Sequence, residues 1–405
     1  MKKSKDLLSV GMLYQTANAI AGMFVNVFLI QVTNDLGLII MQNILFAASL
    51  LGAFLLGSKL LAKVDIIKIL RFGVLSNMLY FLIILILQEN TAPFLIPLGL
   101  FNGVGQGFFW FSYNILLGRL LTDDERGKFF GVKQSFENLF GIVTPMVAGF
   151  VITRFSELTG YYVLFGTSVI MFIFGILLSS RIQTFTSDEK MNFLPILKLR
   201  GNKYWNSQLF LNTTMGMSTM IHNQIFIVFA FHILRNEQRM GNYNSLIAVV
   251  GVLSSMWLAR NLTSKNEKKL SIISASVFML GLTGLGVFAN EVAYAVAAVA
   301  VGFSLSWNMS IGQSMKYKLS TLGGDGFSQD EYIIAAEFPT ALGRILGLGI
   351  ALGAALILEE QLAYRLLMIL NGSLWLINYV AIQKQVGWLQ DSPPKSRLRQ
   401  KPLKG

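Results

Sequence analysis

Apolar runs of membrane-spanning length recur from one end of this 405-residue chain to the other, and no other sequence feature restricts the fold as strongly. A helix that crosses the hydrocarbon core of a bilayer needs about 20 predominantly apolar residues. Windows of that size fall near residues 7–32, 38–58, 68–88, 93–117, 129–153, 160–181, 206–231, 243–259, 270–289, 292–315, 332–357 and 363–383. Only 13% of the residues are charged, against about a quarter in soluble domains. The 37 glycines fit the same class, because small residues let helices approach closely where lipid removes the hydrophobic drive for association. The expected fold is an all-α membrane protein with twelve transmembrane helices.

Orientation follows from the basic residues, which concentrate in cytoplasmic loops. With the N-terminus inside, 28 of the 33 Lys and Arg residues fall on the cytoplasmic side, four fall outside and Arg344 lies within a span. A missed span would swap sides for everything after it, so this asymmetry supports the reading and places both termini in the cytoplasm. It also assigns the net charge of +12 to topology, which removes the reason to expect a nucleic-acid partner. The first apolar run, after MKKSKD, is too long for a signal-peptide core and lacks a small-residue cleavage site, so it reads as a retained span.

The chain divides into an N-terminal half (1–182), a cytoplasmic linker (183–204), a C-terminal half (205–384) and a basic tail (385–405). The linker, with Pro195 and the apolar FLPIL patch, reads as carrying a short surface helix, and the proline-rich tail as lying near anionic headgroups. Asn26 and Asn223, Trp110 and Trp307, and Arg119 and Lys316 are each 197 positions apart, as in a parallel internal repeat; the spacing drifts to 202 for Gly141 and Gly343.

Two six-span halves, cytoplasmic termini and a long central cytoplasmic loop resemble the major facilitator superfamily (MFS) of secondary transporters. The resemblance covers nearly the whole chain and implies the MFS fold, with its halves related by a pseudo-two-fold repeat. Part of the family's antiporter motif is present: Gly131, Pro145 and Gly149 match its spacing, while Phe140, Thr144 and Ala148 depart. That match implies efflux by an antiporter, with the three matching residues serving packing or a helix kink. The loop motif between spans two and three keeps Gly57, Lys63, Lys68 and Arg71 but has Ala62 at its acidic position, and Gly99 stands where proton-coupled drug antiporters carry an arginine.

Three charged residues lie well inside spans: Glu137, Glu337 and Arg344. At about 1.5 Å of rise per residue they sit about 12, 8 and 18 Å from the cytoplasmic face. An intramembrane charge costs at least ~2.5–3.5 kcal/mol on insertion scales for Arg or Asp, so these three are the candidates for proton coupling or substrate contact. The alternative role for each is a structural ion pair. Polar and aromatic residues on the first, fourth, seventh and tenth spans form a second tier, because the resemblance implies that those helices line the central cavity. They are Tyr14, Gln15, Asn18, Asn26, Trp110, Tyr113, Asn114, His222, Asn223, Trp307, Asn308 and Gln313. Gly99, Gly103, Gly107, Gly343 and Gly347 recur every fourth residue and read as smooth packing faces.

The absence of cysteine excludes disulfides, thiolate metal sites and a cysteine nucleophile, and His222 and His232 lack an acidic cluster. No metal, cofactor or enzymatic activity is expected. The sequence therefore predicts a monomeric, multi-pass transporter of the cell membrane that exports a small amphiphilic solute with proton coupling. Its partners are membrane lipids, the solute and protons. A lipid or glycolipid flippase, and a non-transporting receptor or scaffold, are the rival readings.

Overall fold

A computed structural model describes residues 2–120, 123–182, 203–261, 266–320 and 329–391. Residues 183–202 of the linker and most of the basic tail lie outside the described residues, as does the side chain of Asn308. The described residues form helices α1 (Lys2–Thr33), α2 (Leu36–Leu60), α3 (Ile66–Leu87), α4 (Leu95–Leu120), α5 (Asp123–Arg154) and α6 (Thr159–Ser179). A 3₁₀ segment, Gln88–Phe94, joins α3 to α4. Next comes α7, built from Lys203–Ile221, a π turn at His222–Phe226 and a final stretch Ile227–Leu234. Helices α8 (Glu237–Asn261), α9 (Glu267–Phe288), α10 (Glu291–Ser320), α11 (Gln329–Ile357) and α12 (Glu360–Asp391) complete the order.

Short polar punctuation sets these boundaries. Asp35 caps α2 by accepting from the Leu38 amide at 2.9 Å, and Asp65 caps α3 by accepting from the Ile67 amide at 2.7 Å. Arg235 and Ala289 adopt left-handed backbone at φ 50° and 46° and end α7 and α9. Among the described residues, nine segments are long and apolar enough to cross a membrane, one being the continuous Ile66–Leu117 stretch through α3 and α4. Helix α8 is not among them, because it opens with the polar run EQRMGNYN, and Glu291–Leu305 of α10 is a shorter apolar helix. The described residues thus form an all-helical bundle, and the chain is a multi-pass integral membrane protein.

Helix α2 packs along α4, α1 along α6, and α3 along both α4 and α6; in the second part of the chain α8 packs along α10, α7 along α12, and α9 along both α10 and α12. Helix α11 lies along α7, and α5 and α2 reach across to α8 and α11. Close approach at these crossings depends on absent side chains. A Cβ on Gly343 of α11 would run into the Thr213 carbonyl of α7, and one on Gly149 of α5 would sit 2.5 Å from the Glu237 carbonyl of α8. Gly241 of α8 answers in the opposite direction, against the Pro145 carbonyl. Backbone contact of this kind maximises dispersion between helices where lipid offers no hydrophobic drive.

Candidate functional site

A polar cavity lies where α1, α2, α3, α4 and the π turn of α7 converge. It is a cavity of about 90 Å³ walled by seven amide side chains: Asn18, Asn26, Gln42, Asn43, Asn102, Gln106 and Gln224. Phe46, Tyr80 and Phe81 supply aromatic surface to the same wall. No charged side chain is among its described lining residues.

The amides are tied to one another and to their helices. Asn26 Nδ2 on α1 donates to Gln224 Oε1 on α7, a bond between the two parts of the chain. Asn43 Nδ2 on α2 donates to the Ile39 carbonyl at 3.0 Å and reaches Asn26 Oδ1 at 3.5 Å. Behind the cavity, Asn77 Nδ2 on α3 donates to the Tyr14 hydroxyl at 2.7 Å and to Asn18 Oδ1 at 3.4 Å. Two buried acceptors, Gln42 Oε1 and Asn77 Oδ1, have no protein partner. The π turn has a direct consequence here: its extra residue turns Gln224, rather than Asn223, toward Asn26.

Glu137 lies in a different place. On α5 it pairs with Lys133 one turn earlier, at 2.5 Å, and the two share a pocket of about 260 Å³ with Met12, Gln15 and Thr16 of α1 and Phe136 and Phe140 of α5. Its charge is therefore neutralised within its own helix. Glu337 and Arg344, two turns apart on α11, are both half-buried, and no ion pair joins them. The Arg344 backbone lies against Gly216 of α7. The structure does not bring these three charged candidates into one cluster.

The aromatic candidates separate as well. Tyr14 stacks on Phe109 at 3.3 Å between centroids, and Trp110 meets Tyr14 and Tyr113 edge-on. Tyr113 is buried close to Gly11, where a Cβ would collide with its ring, and Asn114 is exposed. Trp307 has a different setting from Trp110. It stacks on Trp257 at 5.2 Å, donates from Nε1 to the Ser254 carbonyl at 3.0 Å and belongs to a small separate core with Leu258 and Leu270. His222 stacks on Phe226 at 4.6 Å, and its Nδ1 is buried without a partner. Asn223 is exposed. Pro145, Gly149, Gly343 and Gly347 lie at helix crossings, and the surroundings of Gly131 fall outside the described residues.

Two further networks sit where sequence patterning gives little signal. At the end of the bundle that holds the α1–α2 and α7–α8 turns, Gln31 Nε2 donates to Glu237 Oε1 at 2.8 Å, and the Tyr161 hydroxyl donates to the same oxygen at 2.9 Å. Gln31 Nε2 also reaches the Tyr161 hydroxyl at 3.0 Å, so α1, α6 and α8 meet at one carboxylate. Between α7 and α12 runs a buried polar ladder: Ser218 with Asn371 at 2.5 Å, Thr214 with Asn378, and Ser207 and Gln208 with Gln385. Its α12 members are seven residues apart, a two-turn spacing that keeps them on one face.

Among the described residues, a helical bundle encloses an uncharged polar cavity between helices from the two parts of the chain, an arrangement that suits a membrane transporter. The Major Facilitator Superfamily model matches residues 7–324, and the chain belongs to that superfamily. YqgE of Bacillus subtilis (strain 168), an uncharacterized protein, is 26% identical over 379 residues, covering 90% of this chain and 86% of YqgE. A protein from the sodM 3' region of Geobacillus stearothermophilus is 27% identical over 159 residues, or 39% of this chain and 74% of that one. Among solved structures, the nucleoside transporter NupG superposes with a TM-score of 0.72 at 11% identity, covering 95% of this chain and 99% of NupG. A bacterial homologue of the iron transporter ferroportin, in an inward-facing state, gives 0.67 at 15% identity, with 95% and 98% covered. At these identities the structural likeness carries the fold alone. Membership of the superfamily implies a small-molecule substrate and a lipid environment.

Proposed function

We propose that this chain is a secondary active transporter of the cell membrane working by alternating access, with twelve crossings in two six-helix halves and both termini cytoplasmic. The helix pairings support the repeat: α2 with α4, α1 with α6 and α3 with α4 and α6 recur six helices later as α8 with α10, α7 with α12 and α9 with α10 and α12. The distribution of basic residues supports the orientation, and with that orientation the Gln31–Tyr161–Glu237 junction faces outward. Pro145 and Gly149, which match the antiporter motif, press against α8 near the same end, so the motif contributes to outer closure. On this reading the outer end is the closed one, and the cavity takes solute from the cytoplasm for export.

The observation that carries the reading is the hydrogen bond from Asn26 to Gln224, which joins the two halves in the wall of the buried amide cavity. A binding space shared by two bodies is what alternating access needs, since solute contacts can then favour one relative position of the halves over the other. The solute is a small molecule with both apolar and polar surface. Protons drive its export through Glu137, whose pair with Lys133 borders a largely apolar pocket between α1 and α5, so that movement of one helix against the other changes the surroundings of the pair.

Proteoliposomes under an imposed pH gradient test this. Gradient-driven solute flux that Glu137→Gln abolishes, with solute exchange at zero gradient retained, is the expected result. Flux that survives Glu137→Gln unchanged would remove Glu137 from coupling, and lipid scrambling without solute flux would make the protein a flippase.

A further inference from the structure

We propose that the amide-lined cavity is a subsite for an uncharged polyhydroxyl group, carried either by a free monosaccharide or by the sugar part of a glycoside. The inference rests on the transporter reading and names the substrate class of its cavity. Three features of the wall lead to it.

First, the lining residues described carry amide and phenol groups but no charge. An ionised solute would leave water without a counter-charge to meet it, at a cost that grows with burial. Second, each amide offers two N–H donors and a carbonyl with two lone pairs, and a hydroxyl is both a donor and an acceptor. Neighbouring hydroxyls on a sugar ring therefore match an amide edge with one bond in each direction. The wall has spare capacity for this: Gln42 is 1% exposed and lines the cavity, and its Oε1 is without a protein partner. Third, Phe46, Tyr80 and Phe81 present ring surface beside the amides. A sugar ring has C–H faces and a hydroxyl rim, so the alternation of ring and amide fits both. The cavity of about 90 Å³ is smaller than the ~300–1,000 Å³ of a whole ligand pocket, so it receives one hydroxylated edge of the solute rather than all of it.

The bland alternative is that the amides hold only water and serve helix packing. Equilibrium binding to the purified full-length protein distinguishes the two, with D-glucose and phenyl β-D-glucoside as the hydroxylated probes and glutamate and tetraphenylphosphonium as the charged ones. The inference predicts saturable binding of at least one hydroxylated probe, with no competition from the charged pair. Glucose binding identifies a free sugar as sufficient; binding of the glucoside alone assigns part of the affinity to its aromatic group. Gln42→Met and, independently, Gln106→Met should each weaken that binding about 10-fold, within the roughly 5- to 150-fold expected when one buried hydrogen-bonding group loses its partner. Thermal unfolding of each variant establishes that it is folded, and a 2-deoxyglucose arm adds a readout that a packing defect does not move. Removing the hydroxyl should cost the wild type more than the Gln42 variant if the amide meets it. Absence of binding of both hydroxylated probes to folded wild type overturns the inference, as does binding indifferent to both substitutions. Gradient-driven flux of tetraphenylphosphonium together with failed binding of both hydroxylated probes would sink the subsite while leaving the transporter standing.

Discussion

Replacing Glu237 by alanine should loosen the outer closure by a predictable amount. The Glu237 carboxylate accepts from Gln31 Nε2 at 2.8 Å and from the Tyr161 hydroxyl at 2.9 Å, and both donors belong to the other half of the molecule. Removing the carboxylate leaves Gln31 a partner, since its Nε2 still donates to the Tyr161 hydroxyl at 3.0 Å, but deprives the Tyr161 O–H of its acceptor. The loss is therefore that of two charge-assisted hydrogen bonds, about 1.5–3 kcal/mol each when fully buried. Glu237 is only half-buried, and solvent takes up part of that. A total of about 1–2 kcal/mol remains, which shifts the closed-to-open ratio about 5- to 30-fold. The chain has no native cysteine, so a single Asn102→Cys reports on the cavity without background. If outer opening limits access, labelling of that thiol by a membrane-impermeant maleimide added outside should speed up by the same factor in the Glu237→Ala background. An unchanged labelling rate would refute the assignment of this junction as the closure.

Other perturbations act on different parts of the account. Gly343→Val places a side chain against the Thr213 carbonyl of α7, so it should lower stability by about 1–3 kcal/mol, the usual range for overpacking, read as a drop in Tm in detergent. Asn378→Leu breaks the buried contact with Thr214 in the α7–α12 ladder; it should cost about 0.6–2 kcal/mol by the same assay and leave solute affinity intact. Asn114→Ala should change neither stability nor flux, since that side chain is exposed. Glu137→Gln should uncouple flux from a pH gradient while exchange persists.

The helical class and the apolar segments were legible because bilayer thickness writes itself into the length of an apolar run. The site was legible only in part. Tyr14, Asn18 and Asn26 were singled out as polar residues on the first span, and all three belong to the amide cavity or its backing network. Gln42, Asn43, Asn77, Asn102, Gln106 and Gln224 were not, since a lone amide within an apolar helix looks the same whether it faces a cavity or bonds its own backbone. Their convergence depends on five helices meeting in space. Repeat spacing pointed to Asn223 opposite Asn26; the π turn, which spacing cannot register, delivers Gln224 instead. Charge was the less informative signal: Glu137 reads from the sequence as a charge well inside a span, whereas on α5 it pairs with Lys133 one turn earlier.

The central claim is that the two halves must move against each other for solute to pass. Cysteines at Gln31 and Glu237, whose side chains meet across the halves at 2.8 Å, would allow that closure to be locked by a short thiol crosslinker. Solute exchange in proteoliposomes should proceed in the reduced double variant, stop on crosslinking and return when the link is cleaved. Exchange at an undiminished rate with the crosslink in place would contradict alternating access in this protein.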